Sequence, residues 1–159
     1  SSSFQTPQRI QVFLDRDGKL ISQSKPFEPE TSSKTVNACL AKRPVDSSDV
    51  FLFHKTTRRG IYESAEAKCE ESDDILLYNE SGELTEFTIG NLVVELNGQL
   101  LTPPIGCGVL PGTFRAHLME TGQVAERTIH VTELENCTKI FRVNSIRKWQ
   151  KVALQELRL

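Results

Sequence analysis

The stretch Asn91-Leu92-Val93-Val94-Glu95-Leu96-Asn97-Gly98-Gln99-Leu100-Leu101-Thr102 leaves the chain few ways to fold. Two strand-forming runs joined by Asn-Gly are the strongest short-range signal for a β-hairpin, because the tight turn needs positive φ at both central residues. Similar punctuation recurs along the chain. Residues 9–14 begin with polar and apolar positions alternating, Asp15-Arg16-Asp17-Gly18 turns, and Lys19-Leu20-Ile21 resumes, which predicts a second hairpin. Residues 23–34, with Pro26 and Pro29, read as a loop. Further strands are expected at 36–41, 51–54, 75–78, from 84, 124–131 and 140–143. Helical spacing appears roughly over 60–68, over 113–119, and in Ile146, Trp149, Val152, Ala153 and Leu157 of the last stretch. Thr132-Glu133-Leu134-Glu135 carries the Thr-x-x-Glu pattern of a helix start. The result is a mixed α/β domain occupying 1–159.

Composition narrows the function. Apolar residues make up 38% of the 159 and charged residues 25%, as in a soluble globular protein, and the net charge of −2 offers no basic face for nucleic acid. No apolar run approaches the ~20 residues of a membrane helix, and the start at Ser1-Ser2-Ser3 has no signal-peptide character. Cys39, Cys69, Cys107 and Cys137 form no C-x-x-C pair and give no sign of a disulfide framework; His54, His117 and His130 have no ligand spacing, so no metal site is expected.

Four polar clusters could carry chemistry. In Phe51-Leu52-Phe53-His54-Lys55-Thr56-Thr57-Arg58-Arg59 an apolar run delivers one lysine. A lysine ending such a strand would be partly desolvated, burial favours the neutral amine, and a neutral amine attacks carbonyls. From position alone, a strand-end lysine reaching water is the commoner outcome. In Thr85-Glu86-Phe87-Thr88-Ile89-Gly90-Asn91 the carboxylate could hold a protonated ring nitrogen, or be an ordinary strand-edge glutamate. Gly106-Cys107-Gly108-Val109-Leu110-Pro111-Gly112-Thr113-Phe114-Arg115 is a glycine loop opening a helix, suited to phosphate; a plain turn before a helix reads equally well. Asn144-Ser145 ends a strand and could add bonds to the same phosphate, with Arg147 close by for a substrate carboxylate.

The order of His54-Lys55-Thr56-Thr57-Arg58-Arg59, Leu84-Thr85-Glu86 with Asn91-Leu92, Leu101-Thr102-Pro103-Pro104, Leu110-Pro111-Gly112-Thr113-Phe114-Arg115 and Asn144-Ser145-Ile146-Arg147 resembles the class IV aminotransferases, the fold-type IV pyridoxal-phosphate enzymes, and among them the aminodeoxychorismate lyase branch. The resemblance implies the large domain of the D-amino-acid-aminotransferase-like fold, with a partly barrel-like, mostly antiparallel sheet and short helices. It implies pyridoxal 5'-phosphate as cofactor and a small-molecule substrate. Lys55 matches the lysine that condenses with the cofactor aldehyde and moves protons, and Glu86 the partner of the pyridine nitrogen. Thr113 and Phe114 match backbone phosphate binders, Ser145, beside Asn144, an assisting group, and Arg59 a cofactor-side arginine. Arg147 is our assignment for a substrate carboxylate. The implied reaction is elimination of pyruvate from aminodeoxychorismate to give 4-aminobenzoate for folate synthesis, by a cytoplasmic homodimer. Transamination of branched-chain or D-amino acids is the second reading, and a non-catalytic module retaining the fold the third. Val93 and Thr113 depart from the usual signature, and Gly60 stands where branched-chain aminotransferases carry a tyrosine. Family members also have a small N-terminal domain of roughly a hundred residues, which this chain is expected to lack.

Overall fold

The computed structural model describes residues 6–27, 34–65 and 71–155. The chain divides into two compact units, Ser1–Thr31 and Ser32–Leu159. In the first, β1 (Gln8–Leu14) and β2 (Leu20–Pro26) form the expected antiparallel hairpin. Asp15 builds the turn, its Oδ1 accepting the Asp17 and Lys19 N–H groups at 3.0 and 2.8 Å, with Gly18 at φ 79°. Strand β2 runs on through Pro26, so the loop expected from residue 23 starts later; residues 28–33 of it lie outside the described residues.

The second unit is built on eight strands: β3 (Val36–Leu40), β4 (Asp74–Tyr78), β5 (Leu84–Phe87), β6 (Gly90–Leu96), β7 (Gln99–Thr102), β8 (Ala125–Glu126), β9 (Lys139–Asn144) and β10 (Lys148–Gln155). Their order is β5-β4-β3-β10-β9-β6-β7-β8, and β5 also pairs with β6. That extra pairing closes six strands into a ring, the barrel, and leaves β7 and β8 as a flap on β6. Only β3 pairs in parallel within the ring, with β4 and with β10. The fold is the mixed α/β, mostly antiparallel, partly barrel-like class. The β6–β7 hairpin turns on Asn97 and Gly98 at φ 51° and 76°, the two positive values such a turn demands.

Alternation along the ring strands sorts side chains to its two faces. One cluster, with Val36, Ala38, Leu40, Leu76, Leu92 and Val94, fills the interior. Two others pack outside. Ala41, Val45, Leu52 and Leu77 gather the segment around residues 50–65, and Val93, Leu118, Val124 and Val143 seat α2 (Thr113–Glu120). Each of the buried valine and leucine side chains among these contributes about 1.5–3 kcal/mol. A cavity lies where the two outer layers approach each other over β5 and β6.

Four expectations are corrected. Residues 51–54 are not a strand: Val50–Leu52 is a 3-10 turn, because the Asp49 carboxylate accepts the Phe51 N–H at 2.9 Å and caps it. The helix expected over 60–68 is α1 (Gly60–Glu63), and 66–68 lie outside the described residues. The strand expected at 124–131 shrinks to β8, and Val131–Asn136 forms a 3-10 turn in which Glu133 reaches back to accept the His130 N–H at 2.9 Å. The last stretch is strand β10, inserted between β3 and β9, not a helix. Cys39 is disulfide-bonded, while Cys107 and Cys137 are free.

Candidate active site

A cavity of about 320 Å³ opens between the 51–62 segment, the β5–β6 turn, the start of α2 and the β9–β10 turn, within the usual range for small-molecule sites. Lys55, Arg59, Glu86, Thr113, Phe114, Asn144 and Ser145 all line it, although they come from four separate parts of the chain. Arg147 does not line it. Its backbone N–H instead donates to Asn144 Oδ1 at 2.8 Å, as does that of Ile146 at 3.1 Å, which shapes the β9–β10 turn. Lys55 sits on irregular backbone and is exposed, so the buried strand end expected for it is absent.

Glu86 is the most enclosed of the polar lining groups, 3% exposed on β5. Tyr62 donates its hydroxyl to Oε1 at 2.8 Å and Asn91 Nδ2 donates to Oε2 at 3.0 Å. Burial pushes its pKa up to about 8, opposed by the bonds from Tyr62 and the Leu110 backbone and by the charges of Lys55 and Arg59. The Tyr62 phenol is pushed well above its usual range, first by burial and then by the Glu86 charge. Sequence reasoning missed Tyr62, since its partner lies in a strand 24 positions away.

Asn91 is the hinge-pin of the site. The same Nδ2 that holds Glu86 also donates to the Leu110 carbonyl at 2.8 Å, fastening the glycine loop to the barrel. Gly112 follows at φ −68°, open to any residue, but a Cβ there would lie 2.1 Å from Asn91 Oδ1. The amide cannot yield without giving up one of its two bonds. Gly112→Ala is therefore expected to cost about 1–3 kcal/mol in denaturant melts, as overpacked sites do. Gly106→Ala, with nothing within 4 Å of its Cβ, should stay within about 0.5 kcal/mol.

Past Gly112, α2 begins with no side-chain cap. First-turn N–H groups have no intrahelical partner, and those of Thr113, Phe114 and Arg115 meet no backbone acceptor among the described residues. They present donors and the positive end of the helix dipole beside the cavity, a setting for an anion. The β5–β6 turn is strapped from three sides. Arg59 donates to the Thr88 carbonyl at 2.6 Å, Asn144 Nδ2 to the Ile89 carbonyl at 3.2 Å, and Asp74 Oδ1 accepts the Thr88 hydroxyl at 2.5 Å. A third lining cation, Arg58, lies with its guanidinium 4.3 Å from the centre of the Phe51 ring. No group of acidic, histidine and cysteine residues among those described could hold a metal, and no described helix is long and apolar enough to cross a membrane.

A closed barrel flanked by a helix N-terminus thus carries a buried carboxyl and an exposed lysine on one cavity. The pattern describing the amino-transferase class IV family matches residues 7–154, and the chain belongs to that family. A Schizosaccharomyces pombe protein named "Putative aminodeoxychorismate lyase" is 37% identical over 149 residues, covering 88% of this chain and 64% of its own length. The chain thus spans just under two thirds of that curated relative. A crystal structure from Mesorhizobium loti, a "Putative amino-acid aminotransferase", superposes with a TM-score of 0.87 at 34% identity, covering 94% of this chain and 74% of that one. The PLP form of a branched-chain amino acid aminotransferase from Thermobaculum terrenum shares the fold, with a TM-score of 0.74 at 19% identity over 86% of this chain and 48% of that one.

Proposed function

We propose that residues 32–159 form a pyridoxal-phosphate site and that the protein is a lyase releasing pyruvate and 4-aminobenzoate from aminodeoxychorismate. The observation that carries the cofactor reading is Glu86: a buried carboxyl, held by two side chains, on the same cavity as an exposed lysine and a helix start with spare N–H donors. Those groups suit the cofactor. Its phosphate matches the first turn of α2 with Ser145 and Asn144 beside it, its ring nitrogen matches Glu86, and Lys55 has the amine its aldehyde needs. The lyase reading is favoured by the Schizosaccharomyces pombe relative.

Pyridoxal phosphate, when bound, supplies an aldehyde that captures a substrate amine and a ring that draws electrons from the bonds beside it. Glu86 would hold the ring nitrogen protonated. Lys55 Nζ would take the proton from the carbon bearing the substrate nitrogen. The ether bond to the three-carbon side chain would then break, the departing enolate would take the proton back from Lys55 Nζ to leave as pyruvate, and the substrate ring would become aromatic. For a substrate carboxylate the cavity offers Arg58, which has no carboxylate partner among the described residues, whereas Arg147 stands outside the lining. The same reading expects a homodimer acting in the cytoplasm.

Adding pyridoxal phosphate to the purified protein should give visible absorbance, and aminodeoxychorismate should then yield 4-aminobenzoate and pyruvate in equal amounts. Keto acids released from branched-chain or D-amino acids would replace the lyase reading with transamination, a reaction the Mesorhizobium loti neighbour keeps in view. A colourless protein would remove both.

A further inference from the structure

The roles assigned so far leave the Tyr62 hydroxyl unused, although it makes the shorter of the two side-chain hydrogen bonds to Glu86. Three donors converge on that carboxyl: Tyr62 Oη at 2.8 Å, Asn91 Nδ2 at 3.0 Å, and the backbone of Leu110. An amide NH₂ and a backbone N–H can only donate, whereas a hydroxyl can donate or accept. A neutral Glu86 must donate its own proton, and among these three partners only Tyr62 can receive it. The hydroxyl is therefore the one partner that serves both protonation states.

We infer that Tyr62 is a positioning residue, whose hydroxyl holds Glu86 in the anionic, acceptor state that a protonated ring nitrogen requires and turns to accept when Glu86 is neutral. No covalent bond changes; the proton stays on the phenol while Glu86 is ionised. Burial works against the anion, and the Tyr62 bond is the largest of the opposing influences. The charges facing the pair are Lys55 and Arg59 towards Glu86, and Arg59 and Asp49 towards Tyr62. Arg59 lies 4.8 Å from the centre of the Tyr62 ring and is tied to Thr88, so the ring can remain in place without its hydroxyl. Tyr62→Phe therefore removes the hydrogen bond and keeps the packing.

The ring-nitrogen half of this inference rests on the proposed cofactor, and the carboxyl half does not. Carbon NMR of the cofactor-free full chain, labelled at glutamate carboxyls, reads Glu86 directly, with a midpoint near 8 in the unaltered protein. Tyr62→Phe should raise that midpoint by about one pH unit, the size of one hydrogen bond to a charged group. Affinity for pyridoxal phosphate should then fall up to about tenfold at neutral pH, in proportion to the smaller ionised fraction, and match the unaltered protein well above both midpoints. In the unaltered protein the Tyr62 Cζ resonance should shift with the Glu86 midpoint, a readout that needs no variant to fold. An unmoved or lowered Glu86 midpoint, a Tyr62 resonance blind to it, or an affinity loss equal at every pH would each overturn the inference. An unaltered protein that binds no cofactor would remove the functional reading, while the titration still decides what Tyr62 does.

Discussion

Replacing Lys55 with alanine should lower turnover by at least about a thousandfold, within the span attributed to a positioned proton-transfer group, and abolish the visible absorbance with pyridoxal phosphate. The loss should be chemical, not structural. Lys55 is exposed and belongs to none of the three apolar clusters. Its removal should therefore move the unfolding free energy by no more than about 0.5 kcal/mol. Lys55→Arg sharpens the test, since a guanidinium keeps the positive charge near Glu86 but cannot lose its proton at working pH. Equal inactivity of both variants assigns the role to the neutral amine. Activity retained by Lys55→Arg would reduce Lys55 to a charge and end the assignment. Partial recovery of Lys55→Ala by added small primary amines would show that the pocket still receives substrate.

The parts of this molecule that could be read from its sequence share one property: the local signal and the tertiary environment agree. Asn97-Gly98 demands positive φ whatever surrounds it, and α2 buries Leu118 and starts directly after Gly112. Strand β10 was hidden because its inward positions are not all apolar. Gln150 faces inward with Val152, both buried, and is paired to Arg142. With a polar residue in the interior, the period of two disappears and an accidental helical spacing in Ile146, Trp149, Val152 and Ala153 remains. Phe51 to His54 misled for the opposite reason. The run is apolar enough for a strand, yet Asp49 caps a 3-10 turn, and Lys55 is exposed beyond it. Lys55 and Glu86 were visible as chemical types from their neighbours. Tyr62 was not, because nothing near residue 62 announces a carboxyl that arrives from β5.

Arg142→Leu should destabilise the protein by about 3–5 kcal/mol, the cost of leaving one member of a buried ion pair alone. Arg142 Nη1 and Asp74 Oδ2 are 2.5 Å apart, with side chains 3% and 0% exposed. They belong to β9 and β4, which β10 and β3 separate around one side of the ring and β6 and β5 around the other. Their contact therefore reaches across the interior. The remaining valences are also used. Arg142 Nε and Nη2 donate to Gln150 Oε1 at 3.2 and 2.9 Å, and Asp74 Oδ1 accepts from Ile75 N at 2.8 Å and from Thr88. Against a typical total of about 5–15 kcal/mol, losing this bridge is severe, and urea midpoints should show it. Pairing Arg142→Leu with Asp74→Leu should recover much of the loss, because apolar replacements for both partners leave no unpaired charge. What the double variant should not recover is order at Thr88, whose hydroxyl and N–H are both held by Asp74. Since the Thr88 carbonyl also receives Arg59, stability regained with weakened cofactor binding would mean that the barrel's interior charge positions the β5–β6 turn beside Glu86. Stability and binding regained together would mean that the pair serves the barrel alone.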